Sequence, residues 1–231
     1  MDTMAGPRGA KLALLLKAEE LFARSGVEAV SPREIVIASG LKNMSAVGYH
    51  FGGKEGLIQA ILRYRMPTIN ERRLEILAQR AAIIAGDDTA ATARALVEAM
   101  VLPLAETLAV PNGRHYLRML ARLAASRRLS IAQIAEAEYG TGWMKASAGL
   151  NRLLSVLPRP LRDLRFRLLL VLIVQSLGDW CEGDERDDLV APAPLMIDGL
   201  IDAGVALLLS DPTPTTLHQA AVAASVDPPR A

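Results

Sequence analysis

Residues 31–57 read SPREIVIASGLKNMSAVGYHFGGKEGL, and this stretch decides how the rest of the chain is interpreted. Ser31 can cap the free amides of a helix, Pro32 suits the first helical position, and Glu34 can bond back to the cap, as in a capping box. Gly40 can take the left-handed conformation that ends a helix. The stretch therefore predicts a short, well-capped helix followed by a tight turn.

The residues after this turn favour a second short helix, over 44–50, with compact side chains. It carries Ser45 and Gly48 before Tyr49 and His50. Because the major groove of B-DNA is only about 12 Å wide, a helix that reads base edges needs small or polar side chains there, while its neighbours hold phosphates. A Tyr-His-Phe triplet alone is more typical of core packing, but the flanking helices indicate a helix-turn-helix that binds double-stranded DNA.

Lys54 opens the next predicted helix directly after Gly52 and Gly53. Glycines let a backbone approach closely, and the free amides at a helix start attract anions. The sequence therefore predicts a phosphate contact at Lys54.

The whole composition favours helix. Hydrophobic residues make up 51% of the chain and aromatic residues only 4%, and small or straight-chain side chains lose little rotamer freedom in a helix. Apolar residues recur at helical spacing, and no alternating run is long enough for a strand. We therefore predict an all-α protein. The predicted helices span 9–25, 32–39, 44–50, 54–84, 88–109, 113–126, 130–156, 160–181 and 194–210.

Two prolines and the C-terminal segment modify this prediction. Pro67 and Pro103 lie inside predicted helices, and each should kink or split its helix because proline removes a backbone donor. Residues 211–231 are rich in Pro, Thr and Ala, which predicts a flexible tail with a short helix near 217–224.

Charge and cysteine content limit the class of protein. The net charge is +1, but residues 1–66 carry nine basic and six acidic residues. This small local excess of positive charge is compatible with a nucleic-acid partner.

Cys181 is the only cysteine, and the start lacks the apolar segment of a secretory signal. The apolar run 168–174 is far shorter than the roughly 20 residues of a membrane-spanning helix. We expect a cytoplasmic protein with no membrane partner.

Motifs for catalysis and cofactors are missing from the sequence. We find no Gly-rich phosphate loop, no nucleophilic Ser elbow and no paired metal motif. His115 and His218 stand apart from other ligand residues, and the acidic segment 182–188 lacks the spacing of a calcium loop. We therefore predict no enzymatic activity, no catalytic residue, no cofactor and no metal.

Taken as a set, the residues over 9–62 resemble the TetR family of bacterial transcriptional repressors. The stretch from Gly40 to Phe51 is one residue longer than the commonest family pattern, near Lys42 or Asn43. The resemblance rests on Ala18, Leu21, Phe22, Gly26, Val27, Ala29, Ser31, Arg33, Glu34, Ile35, Gly40, Leu41, Tyr49, His50, Phe51, Lys54, Glu55 and Leu57.

The resemblance implies a three-helix DNA-binding domain followed by a larger α-helical domain for ligand binding and dimerisation. We place these domains at 1–53 and 54–210, before the tail. It also implies a homodimer that binds a palindromic operator and is released by a small-molecule effector, whose identity the sequence does not give. The predicted DNA contacts are Ser31, Lys42, Asn43, Met44, Ser45, Gly48, Tyr49, His50 and Lys54.

The second domain provides weaker signals for its two expected sites. Large, adaptable side chains favour a ligand cavity, and Tyr116, Met119, Tyr139 and Trp143 are the predicted lining residues. Apolar faces on the helices at 160–181 and 194–210 predict the dimer interface, with Leu168, Leu172, Leu200 and Leu207 as its residues.

Two other functions remain open from the sequence. The first is a helical adaptor of the same fold that acts only through protein contacts. The presence of phosphate-contact residues such as Lys42 and His50 argues against this function. The second is a helical-bundle enzyme that uses Glu136, Glu138 and Glu182 as acids, which the lack of Glu-x-x-His spacing argues against.

Overall fold

A computed structural model describes residues 9–126, 140–185 and 192–226. All regular structure in these ranges is helical, so the predicted all-α class is confirmed. A single 3₁₀ turn, Glu106–Ala109, follows the sixth helix. The helices are α1 (Ala10–Ser25), α2 (Pro32–Ala38), α3 (Ala46–Phe51), α4 (Lys54–Gln79), α5 (Ala81–Ile84), α6 (Thr89–Ala105), α7 (Gly113–Ser126), α8 (Thr141–Leu153), α9 (Arg159–Glu185), α10 (Ala193–Leu209) and α11 (Pro214–Val226).

The two internal prolines do not split their helices. Helix α4 runs through Pro67 and α6 runs through Pro103, so neither helix ends at its proline, and the kinks at these residues stay a prediction. The breaks occur later, at Arg80 between α4 and α5 and at Glu106, where the 3₁₀ turn begins.

A buried arginine explains how α6 accommodates its proline. Pro103 has no amide hydrogen, so the carbonyl of Ala99, four residues earlier, loses its usual helical partner. The Nε of Arg73 donates to that carbonyl at 3.0 Å. Both Arg73 and Ala99 are buried, where an unpaired carbonyl would be costly. The arginine thus replaces the missing backbone donor.

The described residues fall into two compact units. The first lies within Met1–Asn70, Glu106–Gly140 and Leu177–Val190, and the second within Glu71–Ala105, Thr141–Ser176 and Ala191–Ala231. Each unit draws on separate parts of the chain. The domain boundaries at residues 53 and 210 stay a prediction.

In the first unit, α1 packs along α7 and against α2. The carboxylate of Glu19 on α1 is fully buried and accepts two hydrogen bonds from Arg65 on α4, at 2.8 and 2.7 Å. Burial raises the pKa of the Glu19 carboxyl, against the opposing effect of Arg65. One turn further towards the C-terminal end of α1, Arg122 on α7 donates to the carbonyl of Ala23 at 2.7 Å. Two arginines therefore hold α1 in place.

In the second unit, α6 packs against α8 and α10. Two glycines let these helices pack closely. A Cβ at Gly149 on α8 would lie 2.6 Å from the side chain of Leu96 on α6. A Cβ at Gly204 on α10 would lie 3.0 Å from the side chain of Leu169 on α9. Arg165 on α9 donates to the carbonyl of Leu208 at 2.6 Å and so satisfies a free carbonyl at the end of α10.

The predicted tail contains a 13-residue helix, α11. The short helix predicted near 217–224 lies within it, and the observed helix is longer than predicted, extending over 214–226. The hydroxyl of Thr213 accepts the amide of Thr216 at 3.2 Å, and Pro214 follows the cap. Ala220 is buried against the protein. The Thr-Pro pair repeats the Ser-Pro signal that opens α2.

Within the described ranges, no single helix has the length and apolar composition to cross a membrane. The segments Ala193–Leu209 and Pro214–Ser225 reach that composition only as a pair, bent by 71°.

Candidate nucleic-acid interface

The start of α2 has the capping box that the sequence predicts. The hydroxyl of Ser31 accepts the amide of Glu34 at 3.2 Å, and the carboxylate of Glu34 accepts the amide of Ser31 at 2.6 Å. The pKa of the Glu34 carboxyl is lowered, mainly by the hydrogen bond from the Ser31 amide. The hydrogen bond with the Ser31 hydroxyl and the positive charge of Lys54 lower it further. Val30 and Ile35 are both buried, as a hydrophobic staple requires. The prediction is confirmed.

The turn between α2 and α3 follows from local chemistry. Gly40 has a φ of 72°, which a residue with a Cβ rarely adopts. The side chain of Asn43 then accepts the amide of Ser45 at 3.0 Å, and the amide of Ala46 bonds to the carbonyl of Asn43. Because residues 43–45 form this turn, α3 begins at Ala46, two residues later than predicted.

Helix α3 presents one buried and one exposed side. Ala46 and Val47 are buried, whereas Tyr49 is 82% exposed and Met44, in the preceding turn, is 45% exposed. The predicted contacts on the exposed part of this segment are Lys42, Asn43, Met44, Ser45, Gly48, Tyr49 and His50.

Tyr49 and His50 also contact each other, with ring centroids 5.0 Å apart in an edge-to-face arrangement. The next two residues, Gly52 and Gly53, have φ values of 71° and 117°. This left-handed backbone ends α3, with Gly52 as its C-terminal cap, and leads directly into α4. The structure thus brings the predicted contacts of residues 42–50 together with Ser31 in one compact unit.

Lys54, which the sequence predicts as a phosphate contact, bonds to backbone carbonyls of its own chain. Its ammonium does not extend into solvent but donates to the carbonyl of Val27 at 2.8 Å and to that of Val30 at 2.9 Å. Both acceptors are in the turn between α1 and α2, more than 20 residues earlier in the chain. This contact could not be predicted from the sequence, because a local pattern of residues does not indicate which distant carbonyl a side chain will bond.

Comparison with known proteins identifies the fold. No family model and no curated protein matches this chain. Among solved structures, a transcriptional regulator from Rhodococcus sp. Rha1 matches with 23% identity and a TM-score of 0.50, covering 89% of this chain and all of that one. A TetR-family transcriptional regulator from Pectobacterium atrosepticum matches with 19% identity and a TM-score of 0.38, covering 88% and 95%.

The chain has the fold of a transcriptional regulator. The structure is similar to that of the Rhodococcus regulator over 89% of this chain. This similarity agrees with the all-α fold that the sequence predicts.

The predicted ligand residues are distributed between the two units. Tyr116 and Met119 are fully buried in the first unit. Trp143 belongs to the second, where its ring lies 5.5 Å from Phe166 and 5.9 Å from the guanidinium of Arg73. Tyr139 lies outside the described residues. The second unit also has an open pocket of about 160 Å³ that these residues do not line; its lining is Ile84, Gly86, Asp87, Thr89, Thr92, Gly149, Arg152 and Leu153.

The predicted dimer residues differ in exposure. Leu168 on α9 is 45% exposed, whereas Leu200 on α10 is only 5% exposed and packs within its own chain. Leu172 and Leu207 are half-buried. Sequence reasoning missed Leu164 and Val171, which are also exposed on α9. Their spacing from Leu168, four residues before it and three after it, is the helical signal that could have found them.

No metal site emerges from the residues that the structure describes. Within them, no three His, Cys, Asp or Glu side chains lie close enough together to hold an ion. Cys181 is buried.

Proposed function

We propose that this chain is a DNA-binding transcriptional regulator, a repressor that a small molecule releases from its operator. The observation that carries the proposal is the set of exposed residues within 42–45 and 48–50, with Tyr49 and His50 among them, together with the capped start of α2. A helix-turn-helix needs both features, because a rigid frame must present uncovered side chains to the DNA.

Residues of the segment 42–50 have two roles, reading base edges and holding phosphates. Asn43, Ser45 and Gly48 are compact and face the base edges, where side-chain identity selects the sequence. Tyr49 and His50 hold phosphates, which position the protein without reading sequence. Lys42 precedes them and adds a positive charge for a phosphate, and Met44 lies between Asn43 and Ser45 on the same exposed surface.

The regulator works as a homodimer in this proposal. A helix-turn-helix dimer binds two half-sites about 34–36 Å apart, so the operator is palindromic. Leu164, Leu168 and Val171 form an exposed apolar stripe on α9. On α10, a Cβ at Gly199 would meet no atom within 4 Å, so a partner helix can approach closely there.

An apolar or amphipathic effector completes the proposed switch. By binding the helical region beyond the helix-turn-helix, it favours a conformation whose two reading helices are wrongly spaced. Coupling of roughly 1–3 kcal/mol changes operator affinity by about 5- to 150-fold. Tyr116, Met119, Tyr139 and Trp143 remain the proposed ligand residues.

Selection of DNA by the purified protein tests the proposal. Wild-type protein should enrich a palindromic duplex from a randomised pool, with affinity that falls steeply between about 50 and 200 mM salt. Tyr49→Ala should weaken binding to the enriched duplex, whereas Val156→Ala, at a position that is 88% exposed in the turn after α8, should not. A pool that yields no duplex above nonspecific binding contradicts the proposal and favours the helical adaptor.

A further inference from the structure

The ammonium of Lys54 is occupied within the protein. Besides its bonds to Val27 and Val30, it lies 3.5 Å from the carbonyl oxygen of Glu28. An ammonium has three donor hydrogens, so the three carbonyls engage all of them, the last one weakly. A phosphate oxygen can take a donor from Lys54 only after this arrangement is dismantled.

The carbonyls that Lys54 holds belong to the turn that leads into α2. Val27 and Val30 anchor this turn, since they are 5% and 3% exposed, and Ser31 follows directly as the helix cap. The charge of Lys54 also acts on Glu34, the other half of the capping box, and contributes to lowering the pKa of its carboxyl. Lys54 is thus linked to the start of α2 through both the backbone and the capping carboxylate.

We propose that Lys54 is a positioning residue for DNA binding and not a phosphate contact: its ammonium gathers the carbonyls of residues 27–30 and thereby fixes where α2 begins. The consequence for DNA rests on the proposed function, whereas the bonds of Lys54 to the turn exist without DNA. Loss of the ammonium should loosen the turn and weaken binding to every duplex alike, without changing how many counterions binding releases.

Hydrogen exchange of the DNA-free protein tests whether Lys54 holds the turn. In Lys54→Met, the amides of Glu34 and Ile35, bonded to Ser31, should exchange about tenfold faster than in wild type, because hydrogen bonds to a charged group hold the turn. The amide of Thr92, which bonds to the Asp88 carbonyl in the second unit, is the internal control. Unchanged exchange at Glu34 and Ile35 would overturn the proposal.

The salt dependence of DNA binding tests the role. On the duplex that wild type enriches, Lys54→Met should lower affinity while the slope of log K against log salt stays that of wild type. Lys42→Met, at an exposed lysine, should make the slope shallower by about 0.9 for each phosphate that the variant no longer neutralises. A slope for Lys54→Met that falls by this amount would show that Lys54 holds phosphate and overturn the proposal.

Lys54→Arg separates charge from geometry. A planar guanidinium keeps the charge but cannot converge on three carbonyls as a compact ammonium does, so its turn amides should exchange faster, as in Lys54→Met. Exchange of the turn amides at the wild-type rate in Lys54→Arg would contradict the proposal. If Lys54→Met does not fold, Lys54→Arg takes its place in the experiment. If wild type enriches no duplex, the proposed function fails, while the exchange experiment still decides whether Lys54 holds the turn.

Discussion

At the scale of single residues, Arg73 and Pro103 should be energetically coupled through one carbonyl. In the native chain, Arg73→Met leaves the buried Ala99 carbonyl without the donor that replaces the proline's missing amide. In a Pro103→Ala background, the new amide can bond that carbonyl, so the same substitution should cost less. We expect a coupling of about 1–3 kcal/mol, the cost of one unsatisfied buried polar group.

Urea unfolding of the four proteins in this double-mutant cycle measures the coupling. The cycle removes contributions of Arg73 that do not involve the proline, such as its approach to Trp143. Additive losses would show that the carbonyl does not need the arginine.

The buried pair of Glu19 and Arg65 leads to a second prediction at this scale. Arg65→Met should reduce the free energy of unfolding by roughly 3–5 kcal/mol, because it leaves a buried carboxylate without its partner. Arg72→Met is the matched control, since the pair of Arg72 and Glu75 is partly solvated and such pairs contribute about 0–1 kcal/mol. Chemical denaturation should rank the two losses in this order.

A further variant sharpens that experiment. Adding Glu19→Gln to Arg65→Met removes the uncompensated charge and should recover part of the loss. Equal losses in Arg65→Met and Arg72→Met would mean that burial of Glu19 carries no penalty.

Sequence separation explains which of these interactions could be predicted. Ser31 and Glu34 are three residues apart, so the capping box follows from local pattern alone, and the structure has it. Arg73 and Ala99 are 26 residues apart, and Lys54 and Val27 are 27 apart. A long side chain that bonds a distant backbone carbonyl leaves no pattern in the sequence, since any residue type can supply that carbonyl.

At the scale of elements, the cap of α2 gives the third prediction. Ser31→Ala should lower the free energy of unfolding by about 1 kcal/mol, whereas Ser31→Gly should lower it by only a few tenths, because glycine is itself tolerated as a cap. Thermal unfolding of the two variants beside wild type measures the difference. An alanine variant as stable as the glycine variant would mean that the Ser31 hydroxyl does not stabilise the helix.

Helix existence was more predictable than helix ends. The predicted helix 113–126 coincides with α7, and the predicted 194–210 is shifted by one residue from α10. Errors arose where a hydrogen bond of a side chain decided the outcome. Arg73 lets α6 continue through Pro103, and the side chain of Asn43 delays the start of α3.

At the scale of the whole molecule, the sequence identifies residue types but does not show which of them lie near each other or are exposed. Bulky residues were chosen for the ligand cavity because they are few, yet Tyr116 and Trp143 belong to different compact units. Leucines on α9 and α10 were chosen for the interface, yet Leu200 is buried within the chain. Periodicity shows that a face is apolar, but only the packed structure shows whether the protein's own helices already cover it.

This difference in exposure yields the last prediction. Leu168→Arg places a charge within the exposed stripe of α9, and burying an unpaired charge between subunits is costly. The variant should therefore be monomeric by sedimentation at concentrations where wild type is dimeric, and its DNA affinity should fall because one half-site contributes alone. Obligate interfaces bury more than about 2,000 Å², so a central charge should be decisive.

Two other variants show that the effect belongs to the stripe. Val156→Arg places the same charge on a residue that is 88% exposed and should leave the dimer intact. Leu200→Ala should lower the free energy of unfolding by about 2–5 kcal/mol, as truncation of a buried leucine does, yet preserve the sedimentation of the folded protein. If Leu168→Arg stays dimeric, the apolar stripe on α9 is not the surface through which two copies associate, since a buried, unpaired arginine would not be tolerated there.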